Sequence, residues 1–256
     1  MSVILLFIVL FGISYFLLNV VPKIPTWLKI RKASELILNK EYEKGLEVFE
    51  KAAKSKRMKP FTKIRYAFVE LKYGDIAKAK KQISLILNDR TLKPRERYEA
   101  KSVWALIVLT EGDIEQTEEL CEELYKNYLN TDVYCTLGYI YNKLRSPGEA
   151  VRFNLEAYDY NSDKAVIADN LGQAYYLNGQ ADEAEKIYKA KEGENPEFPE
   201  FWYNYALVEK ALGDNGSALR LAKTALEKEF HHLTTVTREE VSALIKELEG
   251  NDTDAG

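Results

Sequence analysis

The sequence predicts an all-α fold, a solenoid of helix pairs stacked in series, and three observations carry that expectation. The stretch "LGYIYNKLRSPGEA" at Leu137–Ala150 returns as "LGQAYYLNGQADEA" at Leu171–Ala184, 34 residues later, agreeing in Leu-Gly, a Tyr four places on and a closing Glu-Ala. The same template can be laid from Thr26, Pro60, Tyr98, Thr131, Ala165 and Pro199, in steps of 34, 38, 33, 34 and 34. Within each unit the eighth place is small (Ala33, Ala67, Ala105, Gly138, Gly172, Ala206), and so, in most units, is the twentieth (Gly45, Ala79, Thr117, Ala150, Ala184, Ala218). A period of 20 to 50 residues is the mark of repeat architecture.

The first element lies ahead of the repeats. No charged side chain occurs from Ser2 to Pro22, and the apolar run Val3–Val21 is close to the roughly 20 residues that a helix needs to cross hydrocarbon. Residues 1–22 are therefore expected to be a transmembrane anchor, with 23–25 as a juxtamembrane linker. A cleaved signal peptide fits less well, because no Lys or Arg precedes the run and the bulky "LLNVVPKIP" follows it. Residue 2 is Ser and the last residues "DTDAG" lack Cys, so no lipid-attachment signature is present.

Charge supplies the orientation. From Lys23 to Lys101 there are 22 Lys and Arg against 10 Asp and Glu, a net of +12, whereas the rest of the chain has 14 against 30, a net of −16. Positive charge beside a span is retained on the cytoplasmic side. The expectation is a single-pass cell-membrane protein with its N-terminus outside and its repeats in the cytoplasm, the basic flank drawn to anionic headgroups. Nucleic acid is not an expected partner, since the basic residues are dispersed among Glu over several helices with no groove-reading motif.

Each repeat reads as two helices of about a dozen residues around a turn. The turns are written "YGD" at Tyr73–Asp75, "EGD" at Glu111–Asp113, "NGQ" at Asn178–Gln180 and "LGD" at Leu212–Asp214. Small residues at the eighth and twentieth places let the paired helices approach closely, and large ones such as Trp104, Leu137, Leu171, Tyr205, Phe49, Ile83 and Tyr188 fill the space beside them. After the sixth unit, Thr237 to Glu240 reads as a capping box that opens a helix ending at Gly250. A capping helix at 233–250 and a disordered tail at 251–256 complete the expected organisation.

These residues carry a resemblance to the tetratricopeptide repeat family, of the membrane-anchored bacterial type, whose unit is a 34-residue helix-turn-helix. Leu137, Gly138, Tyr141, Ala150 and Ala157 match its pattern, as do Leu171, Gly172, Tyr175, Ala184, Tyr188 and Pro196, and then Trp202, Ala218 and Ala225. The resemblance implies a right-handed α-solenoid of about six units over 26–232. The first unit departs from the pattern at Lys29 and Lys32, and four extra residues precede the third.

The resemblance also implies a concave groove, lined by first helices, that holds peptide segments of partner proteins. Its candidate residues are Thr136, Tyr139, Asn142, Asn170, Gln173, Tyr176, Tyr203, Asn204 and Leu207, with a more apolar stretch at Phe61, Ile64, Phe68, Leu71 and Leu106. Asn170 and Asn204 are one period apart, which resembles the asparagine ladder of long family members; local bonds between helices are the alternative. The Lys and Asn set by which some members clamp acidic chaperone tails is missing from every three consecutive units. An apolar strip of this kind takes a partner segment, a second copy of the chain or the stretch around Trp27.

Nothing in the sequence points to catalysis. His231 and His232 are adjacent at a helix end, where they are expected to interact with its C-terminus rather than to share a metal. Cys121 and Cys135 form no CxxC pair, and no phosphate loop, nucleophile triad or metal-ligand cluster is written, so neither cofactor nor metal is expected. The functional expectation is a membrane-anchored adaptor for protein or peptide partners. Alternatives are an extracytoplasmic repeat protein of secretion or envelope assembly, or a regulatory subunit of an envelope-synthesis or degradation complex. The N-anchored repeat proteins of that last kind carry a four-cysteine module, and no Cys follows Cys135 here.

Overall fold

The computed structural model describes residues 8, 9, 11–16, 24–55 and 58–253, and every regular element among them is helical. Beyond the short N-terminal stretch the helices come in pairs. They are α1 (Ile24–Leu38) with α2 (Tyr42–Ala53), α3 (Pro60–Tyr73) with α4 (Ile76–Leu87), and α5 (Pro94–Thr110) with α6 (Ile114–Asn127). Then follow α7 (Thr131–Leu144) with α8 (Pro147–Tyr160), α9 (Ala165–Leu177) with α10 (Ala181–Glu192), and α11 (Pro199–Leu212) with α12 (Asn215–Glu227). A single helix, α13 (Arg238–Thr253), comes last.

The expected membrane span at 1–22 lies largely outside the described residues. Of it, residues 8, 9 and 11–16 are helical, and no described helix is long and apolar enough to cross a membrane. Two expectations are corrected. Helix α5 opens at Pro94, four residues before the template start at Tyr98, because proline is pre-set for the first helical position. Arg97 then ties α5 to the preceding connector by donating to the carbonyls of Leu87 (2.7 Å) and Asp89 (2.9 Å). Helix α13 continues through Gly250 to Thr253, so half of the expected disordered tail is helical, and 254–256 lie outside the described residues.

The turns follow from their letters. Gly112, Gly179 and Gly213 take φ of +79°, +75° and +88°, a backbone that a side chain would strain, and so end a helix cleanly. An aspartate starts the next helix after Gly112 and Gly213, and likewise after Gly74: Asp113, Asp214 and Asp75 accept from the backbone N–H of Gln116, Ser217 and Lys78 at 3.1, 2.9 and 3.0 Å. At the last helix the Thr237 N–H donates to Glu240 at 2.7 Å and the Glu240 N–H to Thr237 Oγ1 at 3.1 Å, a reciprocal capping box. His231 Nδ1 accepts the N–H of Leu233 at 3.2 Å within the connector before α13.

The chain divides into two compact units, Met1–Ala100 and Lys101–Gly256, with the boundary inside α5. In the first unit, α1 and α2 close around Ala33, Leu46, Phe49, Ala52, Met58 and Tyr66. A Cβ on Gly45 would come within 2.6 Å of Ile37 Cδ1, so the small twentieth place is what lets the two helices touch. The buried Tyr66 hydroxyl donates to Glu70 at 2.8 Å, and Glu70 in turn accepts the Asp75 N–H at 3.0 Å, joining α3 to its own turn.

In the second unit each first helix packs on its pair partner and on the next first helix: α7 on α8 and α9, then α9 on α10 and α11. The core runs from Ala184 and Tyr188 through Phe201, Tyr205, Leu221 and Ala225 to Val241, Leu244 and Leu248. Helix α13 thus supplies the apolar side that a seventh repeat would otherwise provide, which is what a terminal cap does.

Candidate functional site

The side-by-side packing of α7, α9 and α11 brings the fifth, sixth and ninth places of successive repeats together. The junctions repeat one bond. The sixth-place Asn170 donates to the carbonyl of the fifth-place Cys135 at 3.0 Å, and Asn204 donates to Asp169 Oδ1 at 3.0 Å, each reaching back 35 residues. One junction earlier, Ser102 Oγ and Thr136 Oγ1 meet at 3.2 Å, 34 residues apart. The sixth place therefore staples the fourth, fifth and sixth repeats to the fifth place of the one before.

Of the two readings of Asn170 and Asn204, that geometry supports local bonds between helices over an asparagine ladder. Asn170 and Asn204 are only 4% and 8% exposed, and each directs its amide donor at the neighbouring repeat rather than at a groove ligand. Asn142 is also engaged: it donates to the Asn170 carbonyl at 2.8 Å and to Gln173 Oε1 at 3.0 Å, and accepts from Asn154 at 2.8 Å. Buried amides are held this way because an unmade bond there costs about 1–3 kcal/mol.

The remaining candidates differ in what they can offer. Thr136, Tyr139, Gln173, Tyr176, Tyr203 and Leu207 are half-buried and keep part of their surface. Tyr176, Tyr203 and Leu207 rest on the apolar core, so their positions are set from below. The Lys143 ammonium lies 5.4 Å from the Tyr139 ring centroid, a cation–π contact at the edge of this surface. The stretch read as an apolar strip is mostly interior. Ile64, Leu71 and Leu106 are buried in the packing, and only Phe61 and Phe68 are exposed.

Sequence reasoning expected Tyr188 to fill space beside the small places but missed the buried acid it bonds. Tyr188 is fully buried and its hydroxyl donates to Asp169 Oδ1 at 3.0 Å, so Asp169 ties α9 to both α10 and α11. Burial first, and the charge of Glu200 after it, push the Asp169 carboxyl up to about 7 against the opposing effect of its two donors. The signal was the pairing of a Gly at the eighth place with a large residue at the twenty-fourth: a Cβ on Gly172 would sit 2.5 Å from the Tyr188 ring.

No reactive group stands out in this region. Desolvation pushes the thiols of Cys121 and Cys135 up to about 12, which keeps them protonated and poorly nucleophilic at neutral pH. Among the described residues no cluster of His, Cys, Asp and Glu has the arrangement to hold a metal. What the surface provides is amphipathic contact area on a rigid, internally bonded support.

No family model matches the chain, and no curated protein matches it significantly in sequence. Solved structures do. A tetratricopeptide repeat protein from Parabacteroides merdae is similar with a TM-score of 0.65 at 12% identity, over 92% of this chain and 89% of that one. PilW, a type IV pilus biogenesis factor, is similar at 0.59 and 15%, over 86% and 98%. TTC0263, a repeat protein of Thermus thermophilus, is similar at 0.56 and 18%, over 75% and 99%. At these identities the likeness establishes the fold, a stack of tetratricopeptide-type helix pairs.

Proposed function

We propose that this chain is a non-catalytic adaptor that holds segments of partner proteins on the face of α7, α9 and α11. The observation that carries this reading is the set Tyr139, Gln173, Tyr176, Tyr203 and Leu207, half-exposed on helices whose spacing is held by the buried staples. Tyrosines on a rigid support give contact area at low entropic cost and can bond a peptide through their hydroxyls. The acidic balance of the chain after Lys101 favours partner segments that carry Lys or Arg.

The adaptor reading places the repeats at a membrane, through the apolar run Val3–Val21 and the basic residues after it, with the repeats on the cytoplasmic face. Two experiments test these parts separately. A photo-crosslinking residue at Tyr176 or Leu207 is expected to capture a partner protein that the same residue at Glu185, on α10, does not; equal capture at all three sites removes the groove from the proposal. Protease treatment of inverted vesicles is expected to digest the repeats. Protection there, with digestion from the opposite side, moves the protein to the extracytoplasmic reading.

A further inference from the structure

Helix α1 has two faces of opposite character. Ile30, Ala33 and Ile37 pack into the cluster of Leu46, Phe49, Ala52, Met58 and Tyr66. The opposite side leaves Trp27 55%, Leu28 51% and Leu38 82% exposed and interleaves them with exposed Lys29, Arg31 and Lys32. Arg31 lies 5.9 Å from the Trp27 ring centroid and bonds Glu35 at 2.8 Å, so guanidinium and indole share one patch. Single wet apolar residues are ordinary, whereas a Trp, Leu and three cations within one and a half turns form a contiguous amphipathic surface.

The charge of the surrounding unit argues for the occupant. Met1–Ala100 contains 21 Lys and Arg against 10 Asp and Glu, a net of +11. A second copy docking face to face would set Lys and Arg against Lys and Arg. A phosphate-bearing bilayer surface complements both components, taking the indole and leucine at the headgroup level and the cations on its charge. We infer that the outward face of α1 docks on an anionic lipid surface, with Trp27 and Leu28 at the boundary between headgroups and acyl chains and Lys29, Arg31 and Lys32 on the phosphates. This contact is separate from the proposed anchor and does not require the apolar run to cross the bilayer.

The test mixes the full chain with vesicles of phosphatidylcholine, with or without phosphatidylglycerol, whose acyl chains are brominated and quench tryptophan on contact. Trp202 is buried and Trp104 half-buried, and both are present unchanged in every variant, so their common quench serves as internal reference. In anionic vesicles, quenching is expected to fall by roughly threefold or more in Trp27→Phe, and equally in the Lys29→Gln/Arg31→Gln/Lys32→Gln chain. High salt is expected to weaken it too. All four positions are exposed, so the variants keep the fold. Flotation at alkaline pH reports the anchor independently. A chain that floats there while wild type and Trp27→Phe are quenched alike keeps its anchor and overturns the docking face. Quenching with flotation only at low salt supports the docking face and removes the anchor. A chain that neither floats nor is quenched overturns both, and a quench equal with and without phosphatidylglycerol overturns the anionic preference.

Discussion

The fourth and fifth repeats share their letters and differ in their interiors. Both put a glycine at the eighth place of the first helix, Gly138 and Gly172, and an alanine at the twentieth, Ala150 and Ala184. Opposite Gly138 stands Asn154, whose amide donates to Asn142 at 2.8 Å and to the Ala150 carbonyl at 3.1 Å. Opposite Gly172 stands Tyr188, whose ring lies 5.1 Å from Phe201 and stacks on Tyr205 at 5.2 Å. One junction is filled by a hydrogen-bonded amide set and the next by an aromatic cluster bonded to the buried Asp169. The space that glycine leaves can be used either way, so a repeat pattern specifies close approach without specifying what fills it.

Breaking the aromatic junction should have the largest effect. Gly172→Ala puts a methyl 2.5 Å from a fully buried ring that has no room to retreat, and is expected to destabilise the second unit by roughly 3 kcal/mol in urea unfolding. The buried acid should show next, through pH. The Asp169 carboxyl is raised to about 7 in the folded chain, so the native state holds this proton more tightly than the unfolded one. Its contribution is fully present below the ordinary carboxyl pKa and is lost as pH rises through about 7. Asp169→Asn keeps an oxygen for Tyr188 and Asn204, so relative to wild type it is expected to gain about 2 kcal/mol between about pH 4 and about pH 8.

Gly138→Ala meets the Asn154 amide oxygen at 2.3 Å and the Asn170 nitrogen at 2.7 Å. These are ends of side chains that can rotate, so the expected loss, roughly 1.5 kcal/mol, is smaller than for Gly172→Ala. If the two losses come out equal, the contrast between an adaptable polar junction and a stiff aromatic one is wrong. The smallest effect belongs to a single staple. Asn170→Ala removes the donor to the Cys135 carbonyl and is expected to cost about 1 kcal/mol in urea unfolding, while the bond from Asn142 to the main-chain carbonyl of residue 170 stays.

Much of the scaffold was legible in the letters. The Gly-Asp turns, the Thr237 and Glu240 box and the small eighth and twentieth places act through bonds and contacts that are local or one helix pair away. The candidate groove was less legible. Asn170 and Asn204 look the same in sequence whether they face a ligand or a neighbouring repeat, and only the 35-residue reach back to Cys135 and Asp169 decides. The apolar strip misread Ile64, Leu71 and Leu106 for a similar reason, since an apolar side chain on a first helix serves the interior as readily as a surface.

The sequence by itself determined that this chain is a series of helix pairs, where most of them begin and turn, and that its two halves carry opposite charge. Those properties depend on period, on the conformational freedom of glycine and on capping within a few residues. Only the tertiary structure decided which polar groups are consumed in holding the repeats together and which tyrosines stay half-exposed. Those outcomes depend on contacts one full repeat apart, where burial and geometry, rather than residue type, set whether a group is a strut or a site.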